Sequence, residues 1–273
     1  MAKYLSRDLP ALEIAWIRFT VFLLLMLPLL LKPGVNVLRS VNPRLQIARS
    51  VALVMSSVFF ITGLRFLPIA EATSTAFVAP IFVTALSILF LGERVGLRRW
   101  VATIVGLLGV VVIVRPGTSA FQPASILPVI SAIAWACTMV MTRRISGSDR
   151  IMTTMAYAAV TGFVLTSLAL PFVWVTPGWR EIAIGTAIGL TSTTGHWIVV
   201  AAFRHADASV LAPYTYGQLL WVSIFGYFLF SEVPDLWTAC GAAIIISSGI
   251  YTANRERRRH LKQVEPAEPL PGV

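Results

Sequence analysis

Charge is scarce in this sequence. Asp, Glu, Lys and Arg supply 12% of its 273 residues, about half the roughly 25% of a typical soluble domain. The charge that exists avoids the interiors of long apolar runs. With 57% hydrophobic residues and a mean hydropathy of +0.80, the chain fits an all-α polytopic membrane protein rather than a large soluble core. Only two cysteines are present, Cys137 and Cys240, both inside apolar runs, so neither a disulfide framework nor a Cys/His metal site is indicated. There is no P-loop and no nucleophile–base set, which argues against an enzyme, an ATP-driven pump or a bound cofactor. The net charge of +10 does not indicate nucleic acid, because the basic residues sit in short loops and in the tail Arg255, Arg257, Arg258, Arg259, Lys262.

What the chain does have is long apolar stretches. Runs of about 18–23 residues predict nine spanning helices, at 11–31, 46–64, 69–91, 98–115, 124–142, 151–173, 182–203, 208–230 and 235–253. Breakers separate them, among them Lys32-Pro33-Gly34, Arg115-Pro116-Gly117, Ser146-Gly147-Ser148-Asp149 and Thr176-Pro177-Gly178. Residues 254–273 turn charged and then proline-rich, and are expected to be a disordered tail. One alternating set of loops, with the tail, carries 16 basic residues against 6 in the other, Arg49 being counted with the richer set. That set, and the C-terminus with it, is expected to face the cytoplasm of a bacterial inner membrane.

The spans are duplicated. Arg204 follows Arg65 by 139 residues, and Glu232 follows Glu93 by the same 139. Two anchors at one offset predict two units, 1–115 and 124–253. The second unit has five predicted helices and the first only four, so a first helix is expected to be missing ahead of Met1. An odd number of helices per unit makes the two repeats inverted in the membrane.

These residues resemble the EamA type of the drug/metabolite transporter superfamily. The likeness runs through Ala15-Trp16-Ile17-Arg18-Phe19, Leu67-Pro68-Ile69-Ala70-Glu71-Ala72 before Pro80, and Leu91-Gly92-Glu93-Arg94 followed by Gly106-Leu107-Leu108-Gly109-Val110. Ala208-Ser209, Pro213 and Ser231-Glu232 repeat it in the second half. The resemblance implies ten helices in two inverted five-helix repeats, and secondary transport of a small organic metabolite by alternating access, often proton-coupled. The expected partners are that metabolite and the lipid bilayer, with a homodimer as an open assembly state. A truncated non-transporting membrane subunit and a lipid flippase are the alternatives.

His196 is the one ionisable residue this pattern places well inside a span, about 12 Å from its end at 1.5 Å per residue. Ser192 and Thr193 share its face, and Gly185 and Gly189 continue the stripe as a place for close helix contact. An intramembrane ionisable group is a substrate or proton site, or a neutral histidine bonded to a neighbouring helix. Tyr214, Gln218, Trp221 and Phe225 recur on one helical face whose aromatic surface and single amide suit an organic solute, or plain helix packing. Trp135 and Tyr157 are further pocket candidates. Arg18 either snorkels outward or contacts an anionic substrate, and Glu71 is either a helix-end charge or a coupling group.

Overall fold

The computed structural model describes residues 1–34, 36–91, 97–115, 122–205, 217–231 and 235–264. Proline and polar residues set where helices begin. After the short α1 (Ala2–Leu5), Pro10 precedes α2 (Ala11–Leu30), and Pro43 occupies the first turn of α3 (Pro43–Phe66), where its missing N–H costs nothing. Pro68 precedes α4 (Ile69–Ala76), and the chain resumes as α5 (Ala79–Leu91) and α6 (Leu97–Val114). Then follow α7 (Ile126–Ile145), α8 (Ile151–Ala169), α9 (Trp179–His205), α10 (Gly217–Phe230) and α11 (Leu236–Val264). Among the described residues there is no strand. Among the described residues, five stretches, 11–30, 43–66, 69–90, 123–145 and 151–172, are long and apolar enough to cross a membrane.

The sequence places a break at Pro80, and the structure breaks the span two to three residues earlier. Phe77 N–H donates to Thr73 and Ser74 carbonyls and Val78 N–H to that of Thr75, so a tight turn separates α4 from α5. Proline then sits in the first turn of α5, the tolerated position. At the other end of the chain the helix outlasts the expectation. α11 continues through 254–264, where the charged composition predicts disorder, and residues 265–273 lie outside the described set.

The 139-residue offset reappears in three dimensions. Shifted by that number, α2 falls on α8, α3 on α9, 78–91 on α10 and α6 on the first part of α11. Equivalent helices cross antiparallel. Trp16 of α2 donates to Ser167 Oγ at 2.9 Å while Phe19, further along, meets Gly162, earlier in α8. Likewise Gly109 of α6 faces Gly241 and Ile245 of α11, while Gly106 faces Ser248. Antiparallel crossing of equivalent helices is the mark of an inverted repeat.

α2 is the hub. Its Ile14, Phe19 and Phe22 are buried with Leu53 of α3, Met155 and Ala158 of α8, and Ile188 and Val200 of α9. A second cluster joins Val78, Val110 and Ile113 to Ala132 of α7 and Ile245 of α11. Two glycines of α9 let α2 approach. A Cβ at Gly185 would lie 2.7 Å from Ile17, and one at Gly189 would lie 2.6 Å from Val21. The equal four-residue steps show α2 and α9 running parallel, and the expectation for this glycine stripe is met.

Candidate functional site

Two turns beyond Gly189 on α9 comes His196, so the seam that seats α2 also fixes what faces the imidazole. Phe22 of α2 stands edge-on to its ring, with centroids 6.2 Å apart. One turn earlier, Arg18 turns inward instead of snorkelling. Its Nη1 donates to Ser57 Oγ of α3 at 2.8 Å, and its guanidinium lies over Phe19.

The third basic group is Arg49. Sequence reasoning counted its charge with the basic loops although it falls in the predicted span 46–64, and the structure places it inside the helix. Helix α3 begins at Pro43, so Arg49 is six residues in, about 9 Å along the axis. It is fully buried, at 0% exposure. Its Nε donates to Thr142 Oγ1 of α7 at 2.6 Å, and its Nη2 lies 2.9 Å from His196 Nε2. A guanidinium offers only donors, so Nε2 accepts and the ring proton rests on Nδ1. The readable signal was Asn42-Pro43, a helix-start pair seven and six residues upstream.

The repeat sharpens this grouping. At the 139-residue offset His196 occupies the place of Ser57, and Tyr157 the place of Arg18. The Arg18–Ser57 contact and His196 therefore sit at repeat-related positions, with different chemistry in each copy.

The remaining candidates are placed elsewhere. Ser192 lies half-buried one turn before His196, and Thr193 is buried with an unpartnered hydroxyl. Gln218 is exposed, and Trp221, 59% exposed, stacks on exposed Phe225 on α10, which packs chiefly on α4. Trp135 is half-buried between the two core clusters. Tyr157 donates to the Leu38 carbonyl at 3.0 Å, tying a loop. Tyr214 and Pro213, with Glu93, Arg94, Asp207 and Glu232, fall outside the described residues.

Two polar braces cap the helix ends at opposite faces. At one, Glu71 accepts from Ser125 at 3.4 Å, and Arg115 pairs with Asp235 at 2.8 Å. Asp235 also caps α11 by accepting from Thr238 N–H. At the other, Asp149, between α7 and α8, accepts from Ser40 Oγ at 2.5 Å, Val41 N–H at 2.9 Å and Gln46 Nε2 at 2.8 Å. Burial pushes the Asp149 carboxyl up, but these hydrogen bonds outweigh it and hold it below the usual carboxylate range.

A depressed folded-state value means this brace stabilises fully above the unfolded value of about 3.9 and is lost as pH falls through the lower folded one. Asp149→Ala is therefore expected to speed hydrogen exchange across 38–46 throughout pH 5–8. In the wild type the same segment stays protected over that range. Equal protection in the variant would assign the ordering of this loop to other contacts.

Comparison with known proteins adds four findings. The model of the EamA-like transporter family matches residues 1–115 and 122–253. The chain is 31% identical to the S-adenosylmethionine uptake transporter of Rickettsia felis, over 94% of this chain and 88% of that protein. It is 30% identical to the pseudopaline exporter of Pseudomonas aeruginosa, over 94% and 91%. A solved crystal structure superposes with a TM-score of 0.68 over 95% of this chain and 92% of that one; at 20% identity it speaks for the fold alone.

Proposed function

The chain belongs to the EamA-like transporter family, with small-metabolite transporters and no enzyme among the relatives described, and we propose that it moves its substrate by alternating access at the Arg18–Arg49–His196 cluster. One observation carries this reading. Two guanidinium groups and an imidazole from α2, α3 and α9 converge inside apolar helices, where each charge costs about 2.5–3.5 kcal/mol at mid-membrane and needs a functional reason. The cluster joins helices of both repeats, the place where rocking of one repeat against the other opens a carrier to either side. In this reading the Asp149 brace and the Glu71–Arg115–Asp235 group are the two gates, and the protein is a multi-pass inner-membrane carrier with its C-terminus in the cytoplasm.

Proton coupling runs through His196. While Arg49 donates to Nε2, that nitrogen has no room for a proton. When Arg49 turns to a substrate, Nε2 is released, accepts a proton from one side and gives it up on the other. The Rickettsia relative makes S-adenosylmethionine the first substrate to try. Proteoliposomes holding the wild-type chain are expected to exchange labelled S-adenosylmethionine and to accelerate uptake under an inward proton gradient. His196→Gln is expected to keep exchange and lose the acceleration. An unchanged gradient response in His196→Gln would remove the coupling role.

A further inference from the structure

We propose that the group held at this cluster is an oxyanion, a carboxylate or phosphate carried by the substrate, a proposal that rests on the transport reading of the same site. Three buried donors on these helices have no partner among the described residues: Arg49 Nη1, whose own Nη2 meets His196, Arg18 Nε, and the hydroxyl of Thr193, which precedes His196 by three residues on α9. Among the described residues every hydrogen-bond partner of the two guanidinium groups is neutral: Ser57, Thr142 and His196. Among the described residues no carboxylate bonds to either guanidinium, and Glu13, five residues from Arg18, accepts from Val175 N–H. Ser57 and Thr142 themselves donate to backbone carbonyls, of Leu53 and Thr138.

At these three residues the unmet demand is one-sided, whereas the unpartnered acceptors Gln46 Oε1 and Glu13 Oε1 belong to side chains engaged with Asp149 and Val175. Two positive charges and their spare N–H groups face no acceptor among the described residues, so a cationic or hydrocarbon group placed here would leave both guanidinium groups unmet. A planar guanidinium fork is matched by a carboxylate or phosphate, with charge-assisted hydrogen bonds roughly twice as strong as neutral ones. Phe19 lies under the Arg18 guanidinium and Phe22 stands against His196, apolar surface that weakens screening of that attraction.

The test uses the purified full chain and its thermal unfolding at fixed ionic strength. S-adenosylmethionine is compared with its decarboxylated form, L-methionine with methioninamide, and inorganic phosphate is run alone. The carboxylate member of each pair is expected to stabilise at about tenfold or more lower concentration, the worth of one charge-assisted hydrogen bond. Arg49→Gln is expected to abolish that difference, and Arg18→Gln gives the same readout should Arg49→Gln not fold. Stabilisation by phosphate but by neither carboxylate assigns the oxyanion to a phosphate and supports the site. Equal stabilisation within each pair, a difference that survives both variants, or no stabilisation by any compound overturns the inference. Uptake of the same compounds separates the two readings. Uptake that ignores the carboxylate leaves transport standing and removes the oxyanion site, whereas oxyanion stabilisation without uptake does the reverse.

Discussion

Uptake is expected to fall about 100-fold when Arg49 is replaced by methionine, while the thermal midpoint stays level or rises. The two halves of this result have separate causes. Two charge-assisted hydrogen bonds to a bound group, each worth about 1.5–3 kcal/mol, account for the lost transport at about 1.4 kcal/mol per tenfold. Stability responds the other way because Arg49 is wholly buried with Nη1 unpartnered. Removing a buried charge without a counter-ion relieves a desolvation cost, and methionine fills much of the vacated volume. The neighbours left behind are neutral, and Thr142 still donates to the Thr138 carbonyl. A purely structural arginine would give the opposite pattern, with lower stability and uptake following it down. Uptake per folded molecule, measured beside thermal unfolding, separates the two.

The second large effect comes from a single methyl group. A Cβ at Gly189 would sit 2.6 Å from Val21 Cβ, with both Val21 methyls at 3.0 Å or less. Valine is stiff at χ1 and cannot swing aside, so Gly189→Ala must push α2 away from α9. Overpacking of this kind costs about 1–3 kcal/mol. Its functional effect is larger, because the same displacement carries Phe22 off His196 and Arg18 off Ser57. Uptake is expected to drop at least tenfold. Gly195, on the same helix, is exposed and an added Cβ there meets nothing within 4 Å. Gly195→Ala should therefore remain near wild type, since a helix interior gains rather than loses from that exchange. Comparable losses at both positions would mean that α9 needs glycine for flexibility and not for its contact with α2.

The helices were legible because each apolar run is bounded by proline, glycine or charge, and because the second copy checks the first residue by residue. Gly185 and Gly189 were legible too, since small residues at four-residue spacing have one main use between helices. Arg49 was not. A positive residue just after a basic loop looks like a topology signal, and only the helix start at Pro43 shows that it is buried. Arg18 was ambiguous for the same reason, since snorkelling and inward pointing share one sequence. Periodicity groups Gln218 with Trp221 correctly on one face, but it cannot say which neighbour that face meets. Tyr157 was read as a pocket wall, whereas its hydroxyl goes to a carbonyl 119 residues away, a pairing no local pattern encodes. The helical continuation past residue 253 was missed because charge was read as disorder, although Arg, Glu and Lys are good helix formers.

Electron cryo-microscopy of the purified chain with bound S-adenosylmethionine tests the site most directly. The predicted result is density for the ligand enclosed by α2, α3 and α9, with its carboxylate within hydrogen-bonding distance of Arg49 Nη1 or Arg18 Nε. Ligand density confined to the Gln218–Trp221–Phe225 face of α10, with both guanidinium groups still bonded only to Ser57, Thr142 and His196, would contradict it.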